Sequence, residues 1–216
     1  MSSNENRRPL KSRGSNAAQA IAKYLSSKNV TPNQISIFSV FFAAAAAIFM
    51  ILPQFSDQVR WPFLLVSALL IQCRLLCNLF DGMVAVEGGK GTSSGELFND
   101  MPDRFADAFI LIAMGFAYTY NSYCEALGWT AALLAIMTAY TRVLTSSIGA
   151  PVNFCGPMAK QHRMALVTGA CLLSCFETFF APNGLIFFVV LIIVNIGSAI
   201  TVFRRTSAAY KFLEKK

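Results

Sequence analysis

The chain has 216 residues, of which 55% are hydrophobic, 12% aromatic and only 13% charged. Soluble domains carry about 25% charged residues, which argues against a soluble globular enzyme and excludes a disordered tail protein. The formal net charge of +7 points to a membrane surface and not to nucleic acid, because basic residues mark the cytoplasmic side of membrane proteins and its anionic lipid. A span needs roughly 20 mostly apolar residues, so the length accommodates about six with short loops.

The predicted elements follow in chain order. Residues 1–29 are polar and basic, with no cleavable signal peptide, and form a cytoplasmic N-terminal segment. Within it, Ala17, Ala18, Ile21, Ala22, Tyr24 and Leu25 recur at helical spacing, which predicts a short amphipathic helix lying at the membrane interface. Residues 30–206 form one membrane domain of six transmembrane helices, so the fold class is all-α and integral to the membrane. Thr31-Pro32-Asn33 opens the first span, which runs to about Ser56. The others run from about Trp61 to Phe80, Leu97 to Tyr118, Ala126 to Thr145, Met164 to Phe180 and, after the Pro182-Asn183-Gly184 turn, Leu185 to Phe203. Residues 207–216 are a basic cytoplasmic tail. Cys73/Cys77 and Cys171/Cys175 lie four apart in apolar helices and read as packing residues, not disulfides. His162 is the only histidine, so no His-containing metal spacing exists.

With the N-terminus inside, 17 of the 18 Lys and Arg residues lie in or beside cytoplasmic segments and only Arg60 is outside. Both termini and the polar site are then cytoplasmic, in a cell (inner) membrane protein. Arg74 and Asp81 fall in the inner half of the second span. Asp100, Asp103, Arg104 and Asp107 open the third, Arg142 sits low in the fourth, and Lys160 and Arg163 precede the fifth. A charge in hydrocarbon costs about 2.5–3.5 kcal/mol on insertion scales, so charges converging from four helices predict an inward-facing polar cavity. Glu125 and Glu177, near the outer ends, read as rim residues.

Six of the 11 acidic residues lie between 81 and 107. Asn78 and Asp81 share one helix face, and Asn99, Asp103 and Asp107 share another. A short turn with Gly88, Gly89 and Gly91 lets the two faces oppose each other. Oxygen donors converging from two helices suit a hard divalent cation, Mg²⁺ or Mn²⁺, better than Zn²⁺. Gly82 and Gly95 let a phosphate or nucleotide approach the backbone. Asp81 stands at the C-terminal end of its span, where a carboxylate opposes the helix dipole, so capping does not account for it.

This stretch resembles the signature of the CDP-alcohol phosphotransferases. In that signature Asp, two residues, Asp-Gly, two residues, Ala-Arg, eight residues, Gly, three residues, Asp, three residues and Asp follow in order. The chain matches the spacing over residues 78–103 and has Asp81, Gly82, Ala85, Gly95 and Asp103 in place. Asn78 and Asn99 stand where the family has its first and third Asp, and Val86 where it has Arg. The Thr31-Pro32-Asn33 entry and the Tyr140-Thr141-Arg142 segment are also similar to family members.

The resemblance implies a homodimeric six-helix membrane enzyme of phospholipid synthesis. Such an enzyme moves a phosphoalcohol from a CDP-linked donor, CDP-diacylglycerol or a CDP-alcohol, to the hydroxyl of a polar alcohol or a lipid, releasing CMP. Asn78, Asp81, Asn99 and Asp103 would then hold Mg²⁺ or Mn²⁺, with Asp103 as base and Asp107 or Asp100 as auxiliary acids. Gly82, Ala85, Gly95 and Arg104 would face the nucleotide and its phosphates, while Arg142, Lys160 and Arg163 would take a phosphate of the acceptor or lipid. Two other readings share these residues: a non-catalytic relative that binds nucleotide or lipid, prompted by Asn78, Asn99 and Val86, and a small membrane transporter.

Overall fold

A computed structural model describes residues 15–52, 60–86, 88–92, 94–117, 120–180 and 183–215. Residues 1–14 of the basic segment, Glu87, Tyr118 and Pro182 lie outside the described residues. Among those described there are seven helices: α1 (Asn16–Ser27), α2 (Pro32–Ile51), α3 (Arg60–Val86), α4 (Gly95–Ala117), α5 (Cys124–Ser147), α6 (Lys160–Phe180) and α7 (Leu185–Leu213).

Local chemistry sets several of the helix ends. α1 stops at Asn29, which takes the left-handed conformation; the Val30 N–H then donates to the Leu25 carbonyl and the Asn29 N–H to Ser26, the paired bonds of a Schellman stop. α2 starts with a capping box: Thr31 Oγ1 accepts from the Gln34 N–H and Gln34 Oε1 from the Thr31 N–H. Gly149, also left-handed, closes α5 in the same manner as Asn29 closes α1. Pro102 lies inside α4 and removes one backbone donor beside Asp103.

α2, α3, α5 and α7 are each long and apolar enough to cross a membrane. α4 and α6 have 23 and 21 residues, enough length at 1.5 Å per residue, and α4 carries five charged residues between Glu96 and Asp107. α3 continues through Phe80 to Val86, so Asp81 and Gly82 are helical. α7 continues ten residues beyond Phe203 and absorbs most of the basic segment expected as a tail.

The six longer helices close a ring: α2 packs on α3, α3 on α6, α6 on α7, α7 on α5, α5 on α4, and α4 back on α2. α1 lies against α3, burying Ala18 and Ala22 with Met83 and Val84. The chain alternates direction, so the ends of α3, α5 and α7 and the starts of α2, α4 and α6 share one end of the bundle. The core is apolar and rich in small residues, with Ala43, Ala46, Ala106, Ala113 and Ala131 buried beside Met50, Leu64, Ile110 and Met114. All six cysteines are unbridged.

Small residues let α4 and α5 cross closely. A Cβ on Gly115 of α4 would meet the Cys124 carbonyl oxygen at 2.7 Å and the Gly128 Cα at 2.9 Å. Close backbone approach of this kind is how helices associate where lipid leaves no hydrophobic drive between them. Gly115→Ala should therefore destabilise the protein by about 1–3 kcal/mol, read as a lower unfolding midpoint in detergent. Gly169→Ala, mid-helix with nothing within 4 Å of its Cβ, should instead raise the midpoint, by about 0.5–1 kcal/mol of stability.

Candidate functional site

The acidic stretch is placed by two helices leaving one turn. α3 ends at Val86 and α4 begins at Gly95. Gly89 is left-handed, and Lys90 Nζ donates to the Ser26 carbonyl at 2.6 Å, tying the turn to α1. A Cβ on Gly88 would lie 2.5 Å from the Val84 carbonyl oxygen and 2.7 Å from Ser26 Oγ, so that position needs glycine.

The centre of the site is a buried charge network. Arg74 of α3, wholly buried, donates from Nη2 to Asp107 Oδ1 at 2.6 Å and to Asp103 Oδ1 at 3.2 Å. Arg163 of α6 donates to Asp107 Oδ2 at 3.0 Å, to Thr138 Oγ1 of α5 at 3.1 Å and to the Met158 carbonyl at 2.9 Å. Lys160 Nζ donates to Asp103 Oδ2. Asn78 gives its amide N–H to Asp103 Oδ1 at 2.6 Å and accepts at its own oxygen from Ser39 of α2 at 3.0 Å. Asp81 accepts from Ser36 Oγ of α2 at 2.8 Å and from the Gly82 N–H at 2.5 Å.

A second, more open layer lies beside it. Asp100 pairs with Arg142 of α5 at 2.9 Å and with Arg104 one turn on at 3.3 Å. Arg142 also sits over the Phe154 ring, 5.9 Å from its centroid. Exposure rises toward the start of α4: Asp107 and Asp103 are buried, while Asn99 is exposed. Ala85 is partly buried and Gly95 begins the helix, its N–H on the Thr92 carbonyl at 3.0 Å. Val86 is exposed.

The structure thus brings Asn78, Asp81, Asp103, Asp107 and Lys160 together, and holds Asp100, Arg104 and Arg142 in one adjacent group. Arg163 faces the interior, its side chain 1% exposed. Ser36, Ser39, Thr138 and Arg205 were not singled out from the sequence. Ser36 and Ser39, three apart in a charge-free apolar run, were a legible signal; Arg205, which donates to the Cys155 carbonyl at 3.0 Å and to that of Thr138, was hidden among the basic residues of the tail. Glu177 is not a rim residue: it is buried at the opposite end of the bundle and pairs with the wholly buried Arg60 at 3.5 Å, because a lone charge at that depth is costly. Glu125 is exposed, as a rim position would be.

These hydrogen bonds test whether the residues fit a divalent cation. All six carboxylate oxygens of Asp81, Asp103 and Asp107 already accept a hydrogen bond. The buried atoms of the network without a hydrogen-bond partner are Arg74 Nε and Nη1 and Arg163 Nε, all donors. Asn78 turns its N–H side, not its oxygen, to Asp103. Among the described residues no three His, Cys, Asp or Glu side chains converge as a metal would require. The donor set does not fit the ion.

The chain matches no protein-family model. It is 27% identical over 202 residues to an uncharacterised protein of Aquifex aeolicus (strain VF5), covering 92% of this chain and 91% of that one. Its fold is that of a phosphatidylinositol phosphate synthase of Mycobacterium tuberculosis. The crystal structure of that enzyme with CDP-DAG bound superposes with a TM-score of 0.74 at 19% identity, over 91% of this chain and 94% of that chain. The same enzyme in complex with manganese and citrate gives 0.73 at 19%, over 89% and 88%. The fold is shared.

The two layers should respond differently to mutation. Asp107→Ala leaves the buried Arg163 without a carboxylate and Arg74 with Asp103 alone, and should cost about 3–5 kcal/mol. Asp100→Ala removes pairs whose carboxylate is 40% exposed and should cost under about 1 kcal/mol. Unfolding midpoints of the two variants in detergent check the difference.

Proposed function

We propose that the chain is an integral membrane transferase of the CDP-alcohol phosphotransferase type. It moves a phosphoalcohol from CDP-diacylglycerol or a CDP-alcohol to the hydroxyl of a polar alcohol or lipid, with release of CMP, in phospholipid synthesis. The observation that carries this reading is that the 78–103 spacing folds into one contact, Asn78 to Asp103 at 2.6 Å, inside a fold shared along its length with an enzyme that binds CDP-DAG. Six spans and cytoplasmic termini belong to the proposal, supported by the ring of six long helices and the one-sided placement of Lys and Arg; a homodimer is part of it on the resemblance alone.

The chemistry assigned to these residues is an in-line displacement. The acceptor oxygen attacks the phosphorus that carries the alcohol, the bridging P–O bond to CMP breaks, and the bridging oxygen leaves with CMP. Asp103 takes the proton of the acceptor hydroxyl, a role worth about 10²–10⁴-fold in rate. Its separation from Lys160 on substrate binding frees the oxygen that accepts that proton, while the ammonium turns to the pyrophosphate. Arg104 and Arg142, at the open layer, neutralise the remaining phosphate charge. Gly82 and Ala85 leave room for the nucleotide against α3. The resemblance implies Mg²⁺ or Mn²⁺, and the mycobacterial enzyme was solved with manganese; because the donor set here does not fit such an ion, no step is assigned to it.

The non-catalytic alternative has its own support, in Asn78 and in the full engagement of Asp103 by Lys160, Arg74 and Asn78. CMP release in lipid vesicles separates the two. CDP-diacylglycerol and several CDP-alcohols, each with a panel of hydroxyl acceptors, should give release from one donor. Asp103→Asn should lower it by about 10²–10⁴-fold with the protein still folded. Undiminished release in Asp103→Asn rejects the base assignment, and CDP binding without release across the panel favours the non-catalytic reading.

A further inference from the structure

The mismatch between the donor set and a divalent ion has a positive content. We propose that Lys160, backed by Arg74, is the resident cation of this site, and that the chain holds a nucleotide pyrophosphate without a divalent metal. The proposal rests on the nucleotide-binding part of the functional reading and adds how the charge of that ligand is met.

Four observations point the same way. First, the buried set of Asp81, Asp103 and Asp107 faces Arg74, Lys160 and Arg163, so it is neutral as it stands. A divalent ion bound to this set without nucleotide would leave surplus positive charge in a low-dielectric interior, where an uncompensated ion is expensive.

Second, the buried network atoms with no hydrogen-bond partner are N–H groups of Arg74 and Arg163, while every carboxylate oxygen of the three aspartates is engaged. A site built for a cation has the opposite surplus, oxygens in want of a partner.

Third, Lys160 is the first residue of α6, where a cation opposes the helix dipole. Helix stability therefore does not account for it, whereas its bond to Asp103 does. Its side chain is 25% exposed, so the ammonium reaches both the buried carboxylate and the open side of the site. Arg142 and Arg104 stand at the same level, 27% and 21% exposed, with only Asp100 between them.

Fourth, an amide is the side chain this arrangement needs at position 78. Asn78 accepts from Ser39 with its oxygen and donates to Asp103 with its nitrogen at 2.6 Å. A carboxylate there would set two like charges in contact, tolerable only with a cation between them. Asn78 thus brings no negative charge to the contact with Asp103, and Lys160 supplies a positive charge on the other oxygen of that carboxylate.

The test uses the full chain in lipid nanodiscs, stripped with EDTA. CDP binding is measured by calorimetry in EDTA and again with Mn²⁺, and Mn²⁺ binding is followed separately by electron paramagnetic resonance without nucleotide. The expected result is CDP affinity equal in the two conditions to within about twofold and no saturable Mn²⁺ signal. Lys160→Met should weaken CDP binding in EDTA by about tenfold or more, a loss of one charge-assisted contact, with Lys160→Arg recovering most of it. Adding Asn78→Asp to Lys160→Met should create Mn²⁺ binding where the wild type has none.

CDP binding that requires Mn²⁺, or tight Mn²⁺ binding by the wild type, overturns the proposal and leaves the functional reading standing. Absence of CDP binding in both conditions overturns both. Should the Lys160 variants fail to fold, the wild-type comparison with and without metal decides alone.

Discussion

The bundle depends on one carboxylate. Asp107 is 2% exposed and lies between two guanidinium groups, Arg74 from α3 and Arg163 from α6, each on a different oxygen. Any of these three left without partners in the interior would carry a desolvation penalty of several kcal/mol. α3, α4 and α6 must therefore meet in a single register. Thr138 extends the constraint to α5 through Arg163, and through its carbonyl to Arg205 of α7. Ser36 and Ser39 add α2 through Asp81 and Asn78. Apolar packing alone, much of it by alanine, would let six helices slide past one another; a buried ion network does not.

The same network divides the charges by use. Those at the depth of Asp107 are closed on one another and act as framework. Those a turn nearer the end of the bundle, Asp100, Arg104, Arg142 and Lys160, are between a fifth and two-fifths exposed and remain able to exchange partners. Asp103 belongs to both, held from behind by Arg74 and from the open side by Lys160. A ligand that draws Lys160 away changes the charge on Asp103's surroundings without disturbing the Arg74–Asp107–Arg163 clamp. In the function proposed above, that separation of a rigid charge layer from an exchangeable one would serve a highly charged substrate, since the cost of burying charge is already met when the ligand arrives.

Much of this was legible in the chain itself. Thr31 with Gln34 three residues on is a helix start wherever it occurs, and the apolar runs are long enough that hydrocarbon thickness sets their length. Helix bounds were least legible where polar residues continue a helix: Asp81 and Gly82 extend α3, and Arg204 to Leu213 extend α7, because a helix leaving an apolar layer needs no further hydrophobic residues to persist. Glu177 was misplaced at the rim because its partner, Arg60, is more than a hundred residues away in sequence.

What the sequence by itself determined is the period, length and polarity of the segments, and the spacing from Asn78 to Asp103 that brings two polar faces together across a glycine turn. These are local properties, set by helical geometry and by the cost of charge in hydrocarbon. What only the tertiary structure decided is which charge meets which: that Arg163 turns inward to Asp107, that Lys160 crosses to Asp103, and that Asn78 presents its nitrogen. Those choices depend on helix rotation and depth in the closed ring, where electrostatic energies vary over a few ångströms and no periodicity in the chain records them.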